Sequence, residues 1–560
     1  MPQAPPPWLR GATWNDNKRR RSRPLAVGAL VTGLLAAGLG AAPAALAASD
    51  GPPSQVVVRA VPGHLAEAAS SVTASGGVVR RRMAALDTLS ASVPPGRLAG
   101  LRSARGVAAV GADAGVELSG DSYDGYNPAR DPNSIYNSLL AMGAGSYYAR
   151  GYTGRGVDVA VLDSGVSTVP GLDAPGKVVK GPDLTPESAR PNLADEDTNG
   201  HGTFMAGLIA GGDTDLGTTN DGLANGSFFA GAAPGARVIS VKAADAHGST
   251  DVSQVLAGID WVVQHRHDDG MNIRVLNLSF GTDSDQSYLV DPLAYAVETA
   301  WKKGIFVVVS AGNNGDVRRS LTNPATDPYV MAVGAEDTRN TVSRIDDVIP
   351  GFSSYGTPER SPDLVAPGKS VTSLRVPGSY VDTTYPSARV NGRFFRGSGT
   401  SHAAAYVSGA AALVMSQRPG ITPDQLKDLL KRTATSLPLA DDRAQGAGAL
   451  DLSRAYYTAT NPKAVQLWPS ASGLGSLELS RGSNHVDTGA GAVTGETDVR
   501  GEDFTSATWA PRSATGTSWS GSGWNGATWS SATWSSATWS SATWSSATWS
   551  SATWSSDGWG

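Results

Sequence analysis

The sequence predicts an α/β protein built on a doubly wound, mostly parallel sheet and preceded by a smaller α+β unit. Two observations carry this reading. From about Tyr123 to Tyr457, short β-branched runs alternate with helical stretches, and several runs are apolar at consecutive positions, as strands covered on both faces are. Ahead of that region, residues 49–118 carry a separate strand and helix pattern of their own.

In that leading unit, Gln55 to Val61 reads as a strand and His64 to Ser75 as a helix ending at Gly76-Gly77. Strands follow at Val78 to Met83 and Leu86 to Val93, then a helix at Pro95 to Ala104 and a strand at Val107 to Ala112. The order β-α-β-β-α-β is that of a ferredoxin-like plait, which alone says nothing of function. In the larger region, strands are expected at Val157 to Leu162, Val238 to Lys242, Val275 to Leu278, Ile305 to Ser310 and Val330 to Val333. Helices are expected near His201 to Ala210, Asp251 to His265, Asp291 to Lys303 and Ser401 to Met415. Chemistry in such sheets gathers at the carboxyl ends of the strands, which directs attention to the residues just after each run.

The two ends of the chain read differently. Lys18 to Arg21 and Arg23 precede an uncharged run from Leu25 to about Ala42, and Ala45-Leu46-Ala47 supplies small residues, so residues 1–48 read as an export signal and the protein as secreted. After Tyr457 the alternation fades. Residues 461–508 read as a linker, and 509–560 as a low-complexity tail holding ten of the 15 Trp residues, mostly five apart, which would offer stacking faces to a cell surface or polysaccharide. Composition narrows the chemistry further. A net charge of -5 gives no basic field for nucleic acid, and the absence of cysteine removes thiol nucleophiles and thiolate metal sites.

Four residues then stand out. Asp163 follows the strand VDVAVL, where a carboxylate could orient an imidazole. His201 lies in NGHGTFMAG, between two glycines that let backbone approach closely, at the start of an apolar helix. The other histidines fall in the leading unit, the charged helix exit QHRHDDG, a Gly-rich loop, the region after Tyr457, or beside Ser401, which leaves His201 as the general base. Ser401, in GSGTSHAAAYV, opens an Ala-rich helix whose positive end suits an oxyanion. Asn313 follows IFVVVSAG and has an amide able to donate to a developing negative oxygen. Each has a plain structural reading when taken alone: a turn residue for Asp163 or Asn313, a helix cap for His201 or Ser401.

Together the four segments resemble the subtilisin-like serine peptidases, or subtilases. The matches are Asp163-Ser164-Gly165 after a strand, Asn199 to Thr203 (NGHGT), Ser310 to Asn313 (SAGN), and Gly399 to Ala403 (GTSHA) opening a helix, in the chain order Asp, His, Ser. The resemblance runs from about Tyr123 to Tyr457, so the peptidase domain is placed at 119–460 and the plait at 49–118 becomes a pro-domain, an intramolecular inhibitor and folding template. It implies a serine endopeptidase in which Ser401 attacks, His201 moves the proton, Asp163 orients the imidazole and Asn313 completes the oxyanion hole. It further implies that Ser279, Phe280 and Gly281, with Gly248, Ser249 and Thr250, pair with the backbone of a protein or peptide substrate.

No cofactor is required. The segment Gly217 to Gly231 departs from the family's calcium loop, while Asp195, Glu196, Asp197, Asp213, Asp215 and Asp221 form an acidic surrounding, so structural calcium is left without assigned residues and no metal site is named. His402 to Tyr406 also departs from the family's usual residues after the serine. No HExxH, GxSxG or Walker sequence supports another hydrolase class. An inert, surface-binding reading is disfavoured because every triad position is filled.

Overall fold

The computed structural model describes residues 53–112, 126–213, 228–316, 321–488 and 491–528. The expected export signal, the junction around 113–125, Asp215, Asp221 and the repeats from Trp529 onward lie outside the described residues. The chain divides into two compact units, one up to Val116 and one from Glu117.

The first unit is a four-stranded antiparallel sheet made of β1 (Ser54–Ala60), β2 (Val78–Met83), β3 (Thr88–Val93) and β4 (Val107–Ala112), in the order β2-β3-β1-β4. Helices Leu65–Ala74 and Leu98–Arg102 complete the plait. Its core is Val56, Val58, Val72, Leu89, Val93 and Leu101, so alternate strand positions meet one helix stripe.

The second unit is organised by a seven-stranded sheet. Its strands are β5 (Asp158–Asp163), β6 (Val178–Asp183), β7 (Arg237–Lys242), β8 (Ile273–Leu278), β9 (Phe306–Ser310), β10 (Met331–Glu336) and β11 (Leu364–Pro367). The order is β11-β10-β9-β8-β5-β7-β6 and every pairing is parallel. All residues of β5, β9 and β10 are buried, which requires helices on both faces. Two helix pairs supply this cover. His201–Ala210 packs on Thr400–Gln417, and Val252–His265 packs on Pro292–Lys302. Val252–His265 starts with a full capping box from Asp251 and Gln254, which fixes its first turn. No helix among the described residues is long and apolar enough to cross a membrane.

Past the sheet the structure departs from the expectation of a linker over 461–508 and a tail from Trp509. Residues 461–488 and 491–528 are built onto the second unit, with helices at Leu477–Arg481 and Ser506–Thr515 and three two-residue strands at Trp519–Ser520, Gly523–Trp524 and Ala527–Thr528. Leu477, Phe504, Trp509, Trp519 and Trp524 belong to the main hydrophobic core. The physical reason is a buried acceptor. Asp260, inside Val252–His265, takes the indole N–H of Trp509 at 2.8 Å, that of Trp524 at 2.8 Å and the Ser513 hydroxyl at 2.6 Å.

Candidate active site

Asp163 is the last residue of β5 and His201 the first of its helix, so both stand at the carboxyl edge of the sheet. His201 Nδ1 lies 2.8 Å from Asp163 Oδ1 and 3.0 Å from Oδ2, with both side chains buried. An aspartate so placed fixes the ring's orientation and tautomer. Local sequence makes the contact possible. Gly200 holds φ +104°, and a Cβ on Gly202 would lie 2.1 Å from the Gly165 carbonyl oxygen, so the two glycines let the His loop close on the Asp163 strand end.

A second carboxylate, which the sequence offers only as one of a scattered acidic group, braces this pair. Asp197 accepts from the Gly200 and Thr203 amides at 2.7 Å each and from the Ser164 hydroxyl at 2.8 Å. Ser164 in turn donates its N–H to Asp163 Oδ1 at 2.8 Å and accepts from the Gly202 N–H at 3.0 Å. Burial pushes the Asp197 carboxyl up, opposed by these hydrogen bonds. Two more acids of that group have structural partners: Glu196 accepts from Ser167 at 2.8 Å and Asp213 pairs with Arg393. Among the described residues no group of three or more His, Asp or Glu side chains is placed to hold a metal ion.

Ser401 is buried at the second position of Thr400–Gln417, where a helix amide has no intrahelical acceptor. The next residue, His402, has its ring centroid 6.4 Å from that of His201 and packs edge-on against Phe204 at 4.8 Å. Burial and the neighbouring His201 push His402 down to about 3, so it stays neutral and acts as a core aromatic. Asn313 is oriented by the same helix start. Its Oδ1 accepts from the Thr400 N–H at 2.9 Å and from the Thr400 hydroxyl at 3.0 Å. Because a backbone N–H can only donate, this fixes which end of the carboxamide is oxygen, and the Nδ2 end is turned away from Thr400.

The two predicted substrate-pairing segments are linked to the elements that carry these residues. Ser279 follows β8, and its hydroxyl accepts from Asn277 Nδ2 at 3.0 Å, while Asn277 Oδ1 accepts from Ser408 on the Ser401 helix at 2.9 Å. Phe280 is buried and Gly281 partly so. Gly248, Ser249 and Thr250 are buried, in a turn closed by Asp245, which accepts from the Ser249 amide at 2.9 Å. Asn199, two residues before His201, donates to the Ala246 carbonyl at 2.9 Å, and Glu187 takes Thr198, Lys242 and the Ala246 amide together. Only the isolated turn residues of this hub were visible in sequence; Glu187 carried no motif.

A parallel sheet with an Asp–His pair at a strand end, a serine at a helix start and an oriented carboxamide beside it has the layout of a nucleophilic hydrolase. Residues 154–448 match the Subtilase family, Peptidase_S8. The chain is 36% identical over 308 residues to serine protease AprX of Bacillus subtilis, covering 53% of this chain and 66% of that protein. It is also 36% identical over 304 residues to Subtilisin Savinase of Lederbergia lenta, covering 54% of this chain and 93% of that one. A solved cold adapted subtilisin-like serine proteinase is 28% identical, with coverage of 54% and 88% and a TM-score of 0.39. The chain belongs to the subtilase family, and it is a serine-type endopeptidase.

Proposed function

We propose that the protein is a secreted endopeptidase, made as a precursor, that cleaves protein substrates through Asp163, His201 and Ser401 with Asn313 in the oxyanion hole. The observation that carries this is the 2.8 Å contact of His201 with Asp163, together with an Asn313 carboxamide held by the residue preceding Ser401. In this reading Ser401 Oγ bonds to the peptide carbonyl carbon while His201 Nε2 takes its proton. The carbonyl oxygen becomes an oxyanion that accepts from the Ser401 N–H and Asn313 Nδ2. Collapse breaks the C–N bond, and the proton passes from His201 to the leaving amine. Water then repeats the sequence on the acyl-enzyme.

The Ser279 to Gly281 and Gly248 to Thr250 segments pair with substrate backbone, a sequence-tolerant mode that suits varied proteins. The plait at 49–118 is the inhibitor and folding template, cut away between about Gly115 and Asn137. The repeats beyond 528 serve contact with a cell surface or polysaccharide. No cofactor enters the chemistry.

Ser401→Ala tests the central role. Proteolysis is expected to be lost with the fold retained, by roughly a factor of 10⁶ in turnover, a scale taken from related enzymes. Wild-type turnover in the variant refutes it. The same variant, made without other peptidases, should keep residues 49–118 attached; normal processing would mean that the cut is not self-inflicted.

A further inference from the structure

The helix Leu477–Arg481 lies outside the region that matches the family, yet it touches the chain just after each of the two substrate-pairing segments. On one side, Thr282, which follows Gly281, donates its hydroxyl to the Ser480 carbonyl at 2.7 Å. Its neighbours repeat the contact: Ser284 donates to the Leu479 carbonyl at 2.6 Å and the Ser483 amide donates to Asp283 at 2.7 Å. On the other side, Asp251, which follows Thr250, receives Arg481 Nε at 2.7 Å and Nη2 at 3.3 Å. Thr282, Ser480, Asp251 and Arg481 are all buried.

This ion pair is unusual for its setting. Arg481 and Asp251 side chains are both fully excluded from solvent, and the guanidinium is completed by the Gly495 carbonyl at 2.7 Å, the Thr497 carbonyl at 2.5 Å and Glu478 at 3.2 Å. Asp251 is also the cap of Val252–His265, where its Oδ1 accepts from the Ser253 amide at 2.8 Å. A buried, multiply bonded charge pair is a poor source of stability but a good fixer of geometry. Here it fixes the point where Gly248 to Thr250 ends.

We propose that Ser480 and Arg481 are positioning residues that hold the Gly248–Thr250 and Ser279–Gly281 segments at a fixed separation, and so set how an extended peptide backbone is gripped on either side of Ser401. This rests on the reading of those segments as the edges that pair with substrate. Neither residue touches substrate; both act through the residue following each edge. A gripping defect grows with the number of substrate residues bound, whereas a general loss of folding lowers every reaction alike.

The test uses the full chain with two variants, Arg481→Met and Thr282→Val, the second removing only the hydroxyl that reaches Ser480. Hydrolysis of a one-residue and a four-residue peptide anilide sharing the same residue at the cleaved bond is compared with the rate of labelling by a small fluorophosphonate. Expected is a KM for the four-residue anilide raised about tenfold, with kcat, the one-residue anilide and labelling changed by less than about threefold. Arg481→Lys, which keeps the charge, should recover part of the loss. The inference is overturned if both variants keep the wild-type advantage of the longer substrate, or if labelling falls in step with hydrolysis. Should Arg481→Met fail to fold, Thr282→Val and Arg481→Lys decide by the same ratio. A wild-type chain that takes no label at Ser401 would instead defeat the proposed function.

Discussion

Replacing Trp509 by Ala removes one of the largest fully buried side chains, together with one of the hydrogen-bond donors that hold Asp260. Large-to-small changes of a buried Trp cost about 3–5 kcal/mol, and a buried carboxylate left one donor short costs about 1–3 kcal/mol more. Trp524 and Ser513 still reach Asp260, so the lower half of the second range applies and the total is about 4–7 kcal/mol. The assay is urea unfolding followed by far-UV circular dichroism, in a Ser401→Ala background that prevents self-digestion. Trp509→Phe keeps most of the volume and should lose about 1–3 kcal/mol. Truncation after Gly501 deletes Trp509, Trp519 and Trp524 together and should yield no stably folded peptidase, whereas deletion from Trp529 onward leaves every contact just named in place. If truncation after Gly501 unfolds at the same urea concentration as the full chain, the claim that 502–528 belongs to the enzyme is refuted.

Other outcomes follow from the same geometry. Asn313→Ala should lower kcat by on the order of 10² to 10³ with little change in KM, since one oxyanion donor remains; a loss confined to KM would contradict its role. His402 stays neutral above about pH 3, so it should add nothing to the acidic limb of kcat/KM, and a limb steeper than unit slope would show that His402 titrates there. Glu336 is buried at the end of β10, where neither carboxylate oxygen has a hydrogen-bond partner among the described residues and desolvation pushes it up to about 7. The folded state then holds the proton between about pH 4.5 and 7 while the unfolded chain releases it, so stability falls as pH rises through that window, by on the order of 3 kcal/mol. Glu336→Gln should flatten that fall in urea titrations; an unchanged slope would exclude Glu336 as its source.

Much of the candidate site is legible in sequence because its residues sit in short local motifs. Asp163, His201, Asn313 and Ser401 each follow a strand or open a helix, and the hydrophobic patterns around them fixed those strand ends to within a residue or two. The helix expected at His201 to Ala210 is found at those limits, and the strand expected at Val238 to Lys242 begins one residue earlier. What supports the site was harder to see. Asp197 and Glu187 look like surface acids in sequence; only folding turns them against backbone amides. The region after Tyr457 departs from its sequence pattern for a related reason. Trp among Ala, Thr and Ser has no helical stripe or strand alternation, and the acceptor that organises it, Asp260, is 249 residues from Trp509. Arg481 meets Asp251 across 230 residues, a pairing no local pattern announces.

In the proposed function, Ser401 is a nucleophile activated by His201 and Asp163. The most direct test is mass-spectrometric mapping of the adduct formed by a serine-directed fluorophosphonate on the processed protein. Expected is a single modified peptide containing Ser401, with labelling abolished in Ser401→Ala and strongly slowed in His201→Ala; no adduct, or one on another serine that persists in Ser401→Ala, would rule out Ser401 as the nucleophile.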